Sequence, residues 1–335
     1  MQIERILIVG HGSIGKRHLR LGREFFPHAN IQVLRHSACD EVPEHATGCL
    51  ERLQDALAFS PQIAVIANPA PLHIGVALPL AQIGVHVLIE KPIAASVEGI
   101  EELEATCRTH NAVCLTGYNL RYQPSLRQFK ELIENKLIGN VLSVRCEAGQ
   151  YLPSWRPDAD YRISVSASKS LGGGVLLELS HELDYLRWIF GEVEWVNATL
   201  RRQSSLAIDV EDTAHLLLGF ATNRDDRQLI ASLNMDFVRH DTTRLCTAIG
   251  DNGSLRWNAL QGSVDHFVPG GQGWQEVFRQ VPQRDETYRA EWQHFLSCIA
   301  GRSRVSVSPR DGLEVMRIID AARRSDSGGG RAWVS

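Results

Sequence analysis

Gly10, Gly12 and Gly15 stand in the spacing G-x-G-x-x-G directly after the short apolar run Ile6 to Val9. Such a turn opens a helix whose first N–H groups face an anion. Gly10 allows the tight turn, Gly12 leaves room for a pyrophosphate to approach the backbone, and Gly15 lets the helix pack on the strand. The chemistry this spacing suits is dinucleotide binding, with Ser13 and Ile14 inside the same turn. Glu90, Lys91 and Pro92 form a second group, a charged pair locked by proline after a buried run, Val85 to Ile89. A side chain held in that way sits at the carboxyl edge of a sheet, where ligands bind. A third group follows Gly172, Gly173 and Gly174: His181 and Asp184 are three residues apart on a helical pattern and so share one face. Imidazole titrates near neutrality and suits proton transfer.

These groups need a scaffold, and the first 120 residues supply one. Apolar runs at Ile6 to Val9, Ile31 to Leu34, Gln62 to Ala67, Val85 to Ile89 and Ala112 to Tyr118 alternate with helical stretches at Ser13 to Arg23, Leu50 to Phe59, His73 to Gly84 and Val97 to Thr109. That rhythm predicts a doubly wound parallel sheet of the Rossmann type. Asn68 and Pro69 end the third run at the carboxyl edge, and His73 opens the next helix near the expected cofactor. The acid that would hold an adenosine ribose belongs about 20 residues past the glycines; that place is Arg35. Arg35, with Ser37, instead suits a 2′-phosphate, which favours NADP(H) over NAD(H). The alternative is a solvated loop arginine, with Asp40 or Glu41 reaching back to the ribose.

From Arg121 the rhythm changes. A helix at Pro124 to Lys136 precedes an alternating strand, Val141 to Tyr151, and an irregular polar stretch, Pro153 to Ser170, which is long enough to favour a binding or lid role. A helix is predicted over Leu176 to Phe190. Strands are expected at Trp195 to Arg201, Thr213 to Phe220, Gln228 to Met235, Arg244 to Gly250 and Gly253 to Asn258, then helices at Glu286 to Gly301 and Pro309 to Ser325. Strands joined by turns such as Asp251-Asn252-Gly253 indicate an antiparallel sheet. The expected division is a dinucleotide-binding domain, 1–120, and an α+β domain, 121–335, with a mostly antiparallel open sheet for substrate and for self-association, the last helices packing back on the first domain.

The chain of 335 residues has a net charge of -4 and no long basic run, which disfavours nucleic acid and anionic membrane as partners. No leader-like or membrane-spanning apolar run is visible, so a cytoplasmic protein is expected. Its seven cysteines lack any C-x-x-C pair, which predicts reduced thiols and no metal site.

Taken in order, Gly10-His11-Gly12-Ser13-Ile14-Gly15, Asn68-Pro69 with His73, Glu90-Lys91-Pro92, Gly117-Tyr118-Asn119-Leu120-Arg121-Tyr122, and Gly172 to Asp184 resemble the Gfo/Idh/MocA oxidoreductases, the family of glucose-fructose oxidoreductase and inositol dehydrogenase. The resemblance runs over essentially the whole chain. It implies a Rossmann domain, a second α/β domain whose open sheet makes a homodimer or homotetramer, and hydride transfer at a hydroxyl or carbonyl carbon of a sugar, nucleotide sugar or cyclitol. It also implies His181 as the acid or base for the hydroxyl proton, and Lys91 as the group that hydrogen-bonds the reacting oxygen or orders the nicotinamide. Asp184 then binds substrate or holds the imidazole. Many members carry an acid four residues before this histidine; here Glu178 is three before and Leu177 takes the fourth place, which leaves Glu178 as a substrate ligand or a buried helix acid. Asn119, Arg121, Tyr122, Trp155 and Arg162 are candidates for a polyhydroxyl or anionic pocket. The alternatives are a lyase- or epimerase-like enzyme that recycles a tightly bound NAD(P), and a non-catalytic NAD(P)-sensing regulator.

Overall fold

Near-continuous apolar runs fold as parallel strands covered on both faces, and the N-terminal runs do so here. The computed structural model describes residues 2–36, 41–222 and 228–335. The chain divides into two compact units, Met1–Tyr118 with Arg289–Met316, and Asn119–Tyr288 with Arg317–Ser335.

In the first unit the order is β1 (Arg5–Val9), α1 (Ser13–Phe25), β2 (Asn30–Leu34), β3 (Gly48–Leu50), α2 (Leu53–Phe59), β4 (Ile63–Ile66), α3 (His73–Gln82), β5 (His86–Glu90), α4 (Ile100–Thr109) and β6 (Cys114–Gly117). Among the described residues these strands make one sheet, ordered β3-β2-β1-β4-β5-β6, and every pair is parallel. The winding reverses between β1 and β4, whose residues Ile6 to Val9 lie against Ile63 to Ile66. Such a switch point leaves a crevice at the carboxyl ends of its two strands. Arg289–Met316 completes the unit: the Thr116 N–H donates to the Val307 carbonyl at 2.9 Å. The helix expected from Leu50 is shorter than its apolar pattern, because Gln32 to Leu34 recruit Gly48 to Leu50 as an added edge strand.

The second unit takes α5 (Pro124–Glu134), β7 (Val141–Gly149), α6 (Val175–Glu178), α7 (His181–Phe190), β8 (Val193–Arg201), β9 (Thr213–Phe220), β10 (Ile230–Asp236), β11 (Thr243–Gly250), β12 (Gly253–Asn258), β13 (Ser263–Phe267) and β14 (Trp274–Arg279). Two long helices, α8 (Glu286–Ile299) and α9 (Pro309–Gly328), precede the short β15 (Ala332–Trp333). Sheet order among the described residues is β14-β13-β12-β11-β7-β10-β9-β8-β15. Among the described residues only β7 and β10 of this sheet pair in parallel. One face is buried through Cys146, Ala148, Leu233, Met235 and Trp257, while Leu217 and Ile230 remain exposed.

In the second unit three strands escape the sequence pattern. β13 and β14 mix polar and apolar residues without clean alternation, and β15 follows a glycine tail, where pairing with Trp195 and Val196 supplies the order. The helix expected over Leu176 to Phe190 is broken into α6 and α7. The stretch Pro153 to Ser170 is not structureless but a chain of 3-10 turns. Among the described residues five cysteines are free and buried, whereas Cys49 is disulfide-bonded, against the expectation of reduced thiols throughout; pairing follows Cα distance in the fold, which spacing does not report. Among the described residues, no helix is long and apolar enough to cross a membrane.

Candidate active site

The glycine turn lies at the switch point. The Gly10 N–H donates to Leu34 O at 2.8 Å and the Ala67 N–H to Val9 O at 2.8 Å, which ties the ends of β1, β2 and β4 together. Gly10 has φ +91°, and a Cβ there would lie 2.6 Å from Ala67 O. At Gly15 a Cβ would lie 2.1 Å from Gly10 O, whereas nothing comes within 4 Å of one at Gly12. Two glycines are therefore needed by the protein itself, and the third faces open space at the N-cap of α1. Ser13 is exposed and Ile14 half-buried at the same helix start. Beside this turn, Asn68 Oδ1 is buried with no hydrogen-bond partner among the described residues. A helix N-terminus with an open cradle and an orphaned amide oxygen is what a pyrophosphate-bearing dinucleotide would fit. Burial, followed by the nearby charges of Lys16 and Arg35, pushes the His11 pKa down, so the turn sits in a positive field. Arg35 follows β2 and its Nη2 donates to Glu41 O at 3.5 Å; Ser37 and Asp40 lie outside the described residues.

Pro69 follows Asn68 and starts a 3-10 turn that runs into α3. His73, at the start of α3, is almost completely buried, with Nε2 2.7 Å from Asn68 O and Nδ1 3.0 Å from Pro92 O. Desolvation pushes its pKa down, opposed by these carbonyls. Its ring thus staples the loop after β4 to the loop after β5, so any effect on a cofactor is through those loops. Lys91 and Pro92, joined by a cis peptide bond, leave β5 with Lys91 half-buried. Glu90 is buried; its Oε1 lies 2.7 Å from His18 Nε2 and its Oε2 accepts the Lys91 N–H at 3.2 Å. Burial raises the Glu90 pKa, but the hydrogen bond from His18 and the charge of Lys91 hold it below the usual value.

In the second unit, His181 is the first residue of α7, with 9% of its surface exposed. Gly174 has φ +104° and sits so close to Glu211 that a Cβ would lie 2.5 Å from its Oε1. Glu211 in turn accepts the Leu176 N–H at 3.1 Å, and burial raises its pKa. The glycines are therefore a tight passage that lets Glu211 cap α6. Between α6 and α7 the chain turns at Leu179 and Ser180, so Glu178 and His181 are not on one continuous helix. The three-versus-four spacing from acid to histidine therefore does not fix a helical face, and Glu178 is half-buried at the end of α6.

Asp184 does not stand as a free carboxylate next to the imidazole. Its two oxygens accept from Arg121 at 2.9 and 2.6 Å, both side chains being buried. Arg121 also lies 5.6 Å from the centre of the Trp188 ring. These two residues, expected to act on substrate, form a buried bidentate pair that braces α7. Asn119 is buried and donates to Thr287 Oγ1 at 3.0 Å. Tyr122 is also buried, with Arg127 over its ring. Trp155 donates to Gln150 O at 3.0 Å, meets Phe237 edge-on and lines a cavity of 190 Å³ with Arg156 and Tyr161. Arg162 is exposed, grips Asp160 through Nε and Nη2, and lines a separate, open depression with Arg202. Trp155 and Arg162 thus line different hollows.

Sequence reasoning missed His18 and Glu291, which lie against Glu90, and Trp292, which donates to His18. His18 carried a signal, since it lies three residues past Gly15 among the buried Leu19, Leu21 and Gly22 of α1. The other two lie too far along the chain for spacing to report.

Two family models match nearly the whole chain. "Oxidoreductase family, NAD-binding Rossmann fold" covers residues 4–118, and "Oxidoreductase family, C-terminal alpha/beta domain" covers 130–335. Levoglucosan dehydrogenase of Pseudarthrobacter phenanthrenivorans is 30% identical over 216 residues, 60% of this chain and 54% of that protein; the chain spans about half the length of that relative. An uncharacterized oxidoreductase of Bacillus subtilis, YrbE, is 25% identical over 95% of this chain and 93% of its own. Among solved structures, levoglucosan dehydrogenase in complex with NADH and levoglucosan superposes with a TM-score of 0.85 at 23% identity over 100% of both chains. The WlbA dehydrogenase from Bordetella pertussis, in complex with NADH and UDP-GlcNAcA, gives 0.80 at 22% identity over 100% of this chain and 99% of its own. At these identities the two structures share the fold.

Proposed function

The chain belongs to the Gfo/Idh/MocA family of NAD(P)-dependent oxidoreductases, and we propose that it transfers hydride at a hydroxyl or carbonyl carbon of a sugar, nucleotide sugar or cyclitol. The observation that carries this reading is the glycine cradle at the switch point, open at Gly12, with Lys91 held at the end of a neighbouring strand of the same sheet. When bound, a nicotinamide supplies or accepts the hydride. Gly10 to Gly15, Asn68 and Pro69 would hold its dinucleotide. In this reading Lys91 Nζ donates a hydrogen bond to the reacting oxygen, and an imidazole nitrogen of His181 takes or returns the hydroxyl proton. Arg121 and Asp184 keep α7, and so His181, in place rather than touching substrate. The sugar class is supported by what the relatives' names and complexes state: levoglucosan in one and a nucleotide sugar in another. The test is turnover in a sugar and nucleotide-sugar screen. Lys91→Ala and His181→Ala variants that still bind NADH and keep full turnover would refute the assigned roles.

For the dinucleotide, the reading is NADP(H), supported by Arg35 at the end of β2 and Lys16 close by; against it, the similar structures hold NADH. Fluorescence titration decides, because a tighter grip on NADH than on NADPH removes the role given to Arg35. Self-association through the open sheet is supported by the exposed Leu217 and Ile230, and a monomer in solution would reject it.

A further inference from the structure

One cluster in the first unit is buried and unused by this reaction. The ligand-type atoms of His18, Glu90 and Glu291 all lie within 4.8 Å of one another. Trp292 Nε1 donates to His18 Nδ1 at 3.0 Å. An indole N–H can only donate, so Nδ1 is the acceptor, and the imidazole proton sits on Nε2, which donates to Glu90 Oε1 at 2.7 Å. A cation on Nε2 would move that proton to Nδ1, where it would meet the indole N–H. The arrangement therefore suits a proton and not a metal ion.

Glu291 supplies the second observation. Its side chain is completely buried, and neither oxygen has a hydrogen-bond partner among the described residues. An ionised carboxylate in that position would be desolvated, unpaired and next to Glu90. Two carboxyls this close settle on one proton. The charged and titratable groups around Glu90 are His18 from α1, Lys91 after β5, His73 from α3 and Glu291 from α8. Burial, and then the Glu90 charge, push Glu291 well above the carboxylate range.

We propose that His18, Glu291 and Trp292 are positioning residues for Lys91: Glu291 is a neutral acid holding the one proton of the carboxyl pair, and His18, set by Trp292, clamps Glu90 as the single fixed negative charge beside Lys91. The proposal rests on the reading that Lys91 acts at the reacting oxygen. The Glu90 carboxylate holds the Lys91 backbone N–H and attracts its ammonium, so a loose Glu90 misplaces the group that meets substrate.

Two experiments on the full-length protein test it. In the infrared spectrum at neutral pH, the wild type should show the carbonyl stretch of a protonated carboxylic acid, lost in Glu291→Gln and kept in Lys91→Ala. In turnover, His18→Leu should lower kcat by about tenfold to a hundredfold while the NADH dissociation constant stays within about threefold. His18→Gln, whose amide can donate to Glu90 and accept from Trp292, should recover most of that loss. The proposal is overturned by a missing band, by a band that survives Glu291→Gln, by a stoichiometric metal in the purified protein, or by equal kcat in the two His18 variants. Failure of the Lys91 reading looks different: full turnover in Lys91→Ala with the band intact.

Discussion

The two glycines at either side of His11 should respond in opposite ways to a single methyl group. At Gly10 an alanine must adopt φ +91° and place its Cβ 2.6 Å from Ala67 O. The left-handed backbone costs about 1–2 kcal/mol, and forcing the carbonyl away adds about 1–3 kcal/mol. Gly10→Ala should therefore lower Tm by about 5 °C or more. Gly12 is extended, at φ -72° and ψ -174°, and a Cβ there meets nothing within 4 Å. Alanine is a poorer N-cap than glycine by up to about 1 kcal/mol, but it restricts the unfolded chain by about 0.4–1 kcal/mol. These effects cancel, so Tm should hardly move. The methyl group instead occupies the space through which a pyrophosphate reaches the helix N–H groups. Losing one charge-assisted hydrogen bond costs about 1.5–3 kcal/mol, a loss of about tenfold to a hundredfold in affinity. Differential scanning calorimetry and NADH fluorescence titration on the two variants read both quantities. If Gly12→Ala unfolds as early as Gly10→Ala, residue 12 is a packing position; if it binds NADH like the wild type, the dinucleotide does not pass over it.

Two further outcomes follow from buried charges. Asp184→Asn leaves the buried Arg121 without its carboxylate, and denaturant unfolding should show a loss of about 3–5 kcal/mol; unchanged stability with lost turnover would instead make Asp184 a catalytic group. Glu291 has a folded pKa raised by burial and by Glu90, so its contribution to stability is fully present below the unfolded value of about 4.3 and is lost as pH rises, by up to about 1.4 kcal/mol per unit. Glu291→Gln removes that loss, and its advantage over the wild type in urea titrations should grow from acid to neutral pH; a constant difference would mean that folding leaves the Glu291 pKa unshifted.

Much of the scaffold was legible because one physical signal governs it. A strand covered on both faces must be apolar at every position, and Ile6 to Val9, Ile63 to Ile66 and Val87 to Ile89 are buried without interruption. Glu90-Lys91-Pro92 was visible for the opposite reason, as charges that end such a run. The break between α6 and α7 was invisible, since Leu176, Leu179, Leu183 and Leu186 keep a helical apolar period across it. β13 and β14 were missed because edge-side strands such as Trp274–Arg279 have an almost wholly exposed face and so need no alternation. Side-chain pairing was the least legible layer. Arg121 and Asp184 each read as a substrate ligand, and only the fold shows them paired with each other across 63 residues of sequence.

Glu90 shows why the same sequence distance matters for chemistry. The residues that fix its charge arrive from opposite ends of the chain, with His18 and Trp292 separated by 274 positions. An apolar side chain at 291 would bury surface without desolvating a carboxyl, so Glu291 lowers stability at neutral pH. Apolar packing there would also remove the group that shares a proton with Glu90. Without His18 to hold one oxygen and Glu291 to carry the proton, Glu90 could itself take up the proton, as burial alone favours. Lys91 would then lose its fixed counter-charge while keeping its place in sequence. The lysine marks where the chemistry happens, but the charge that orders it is set by residues from α1 and α8.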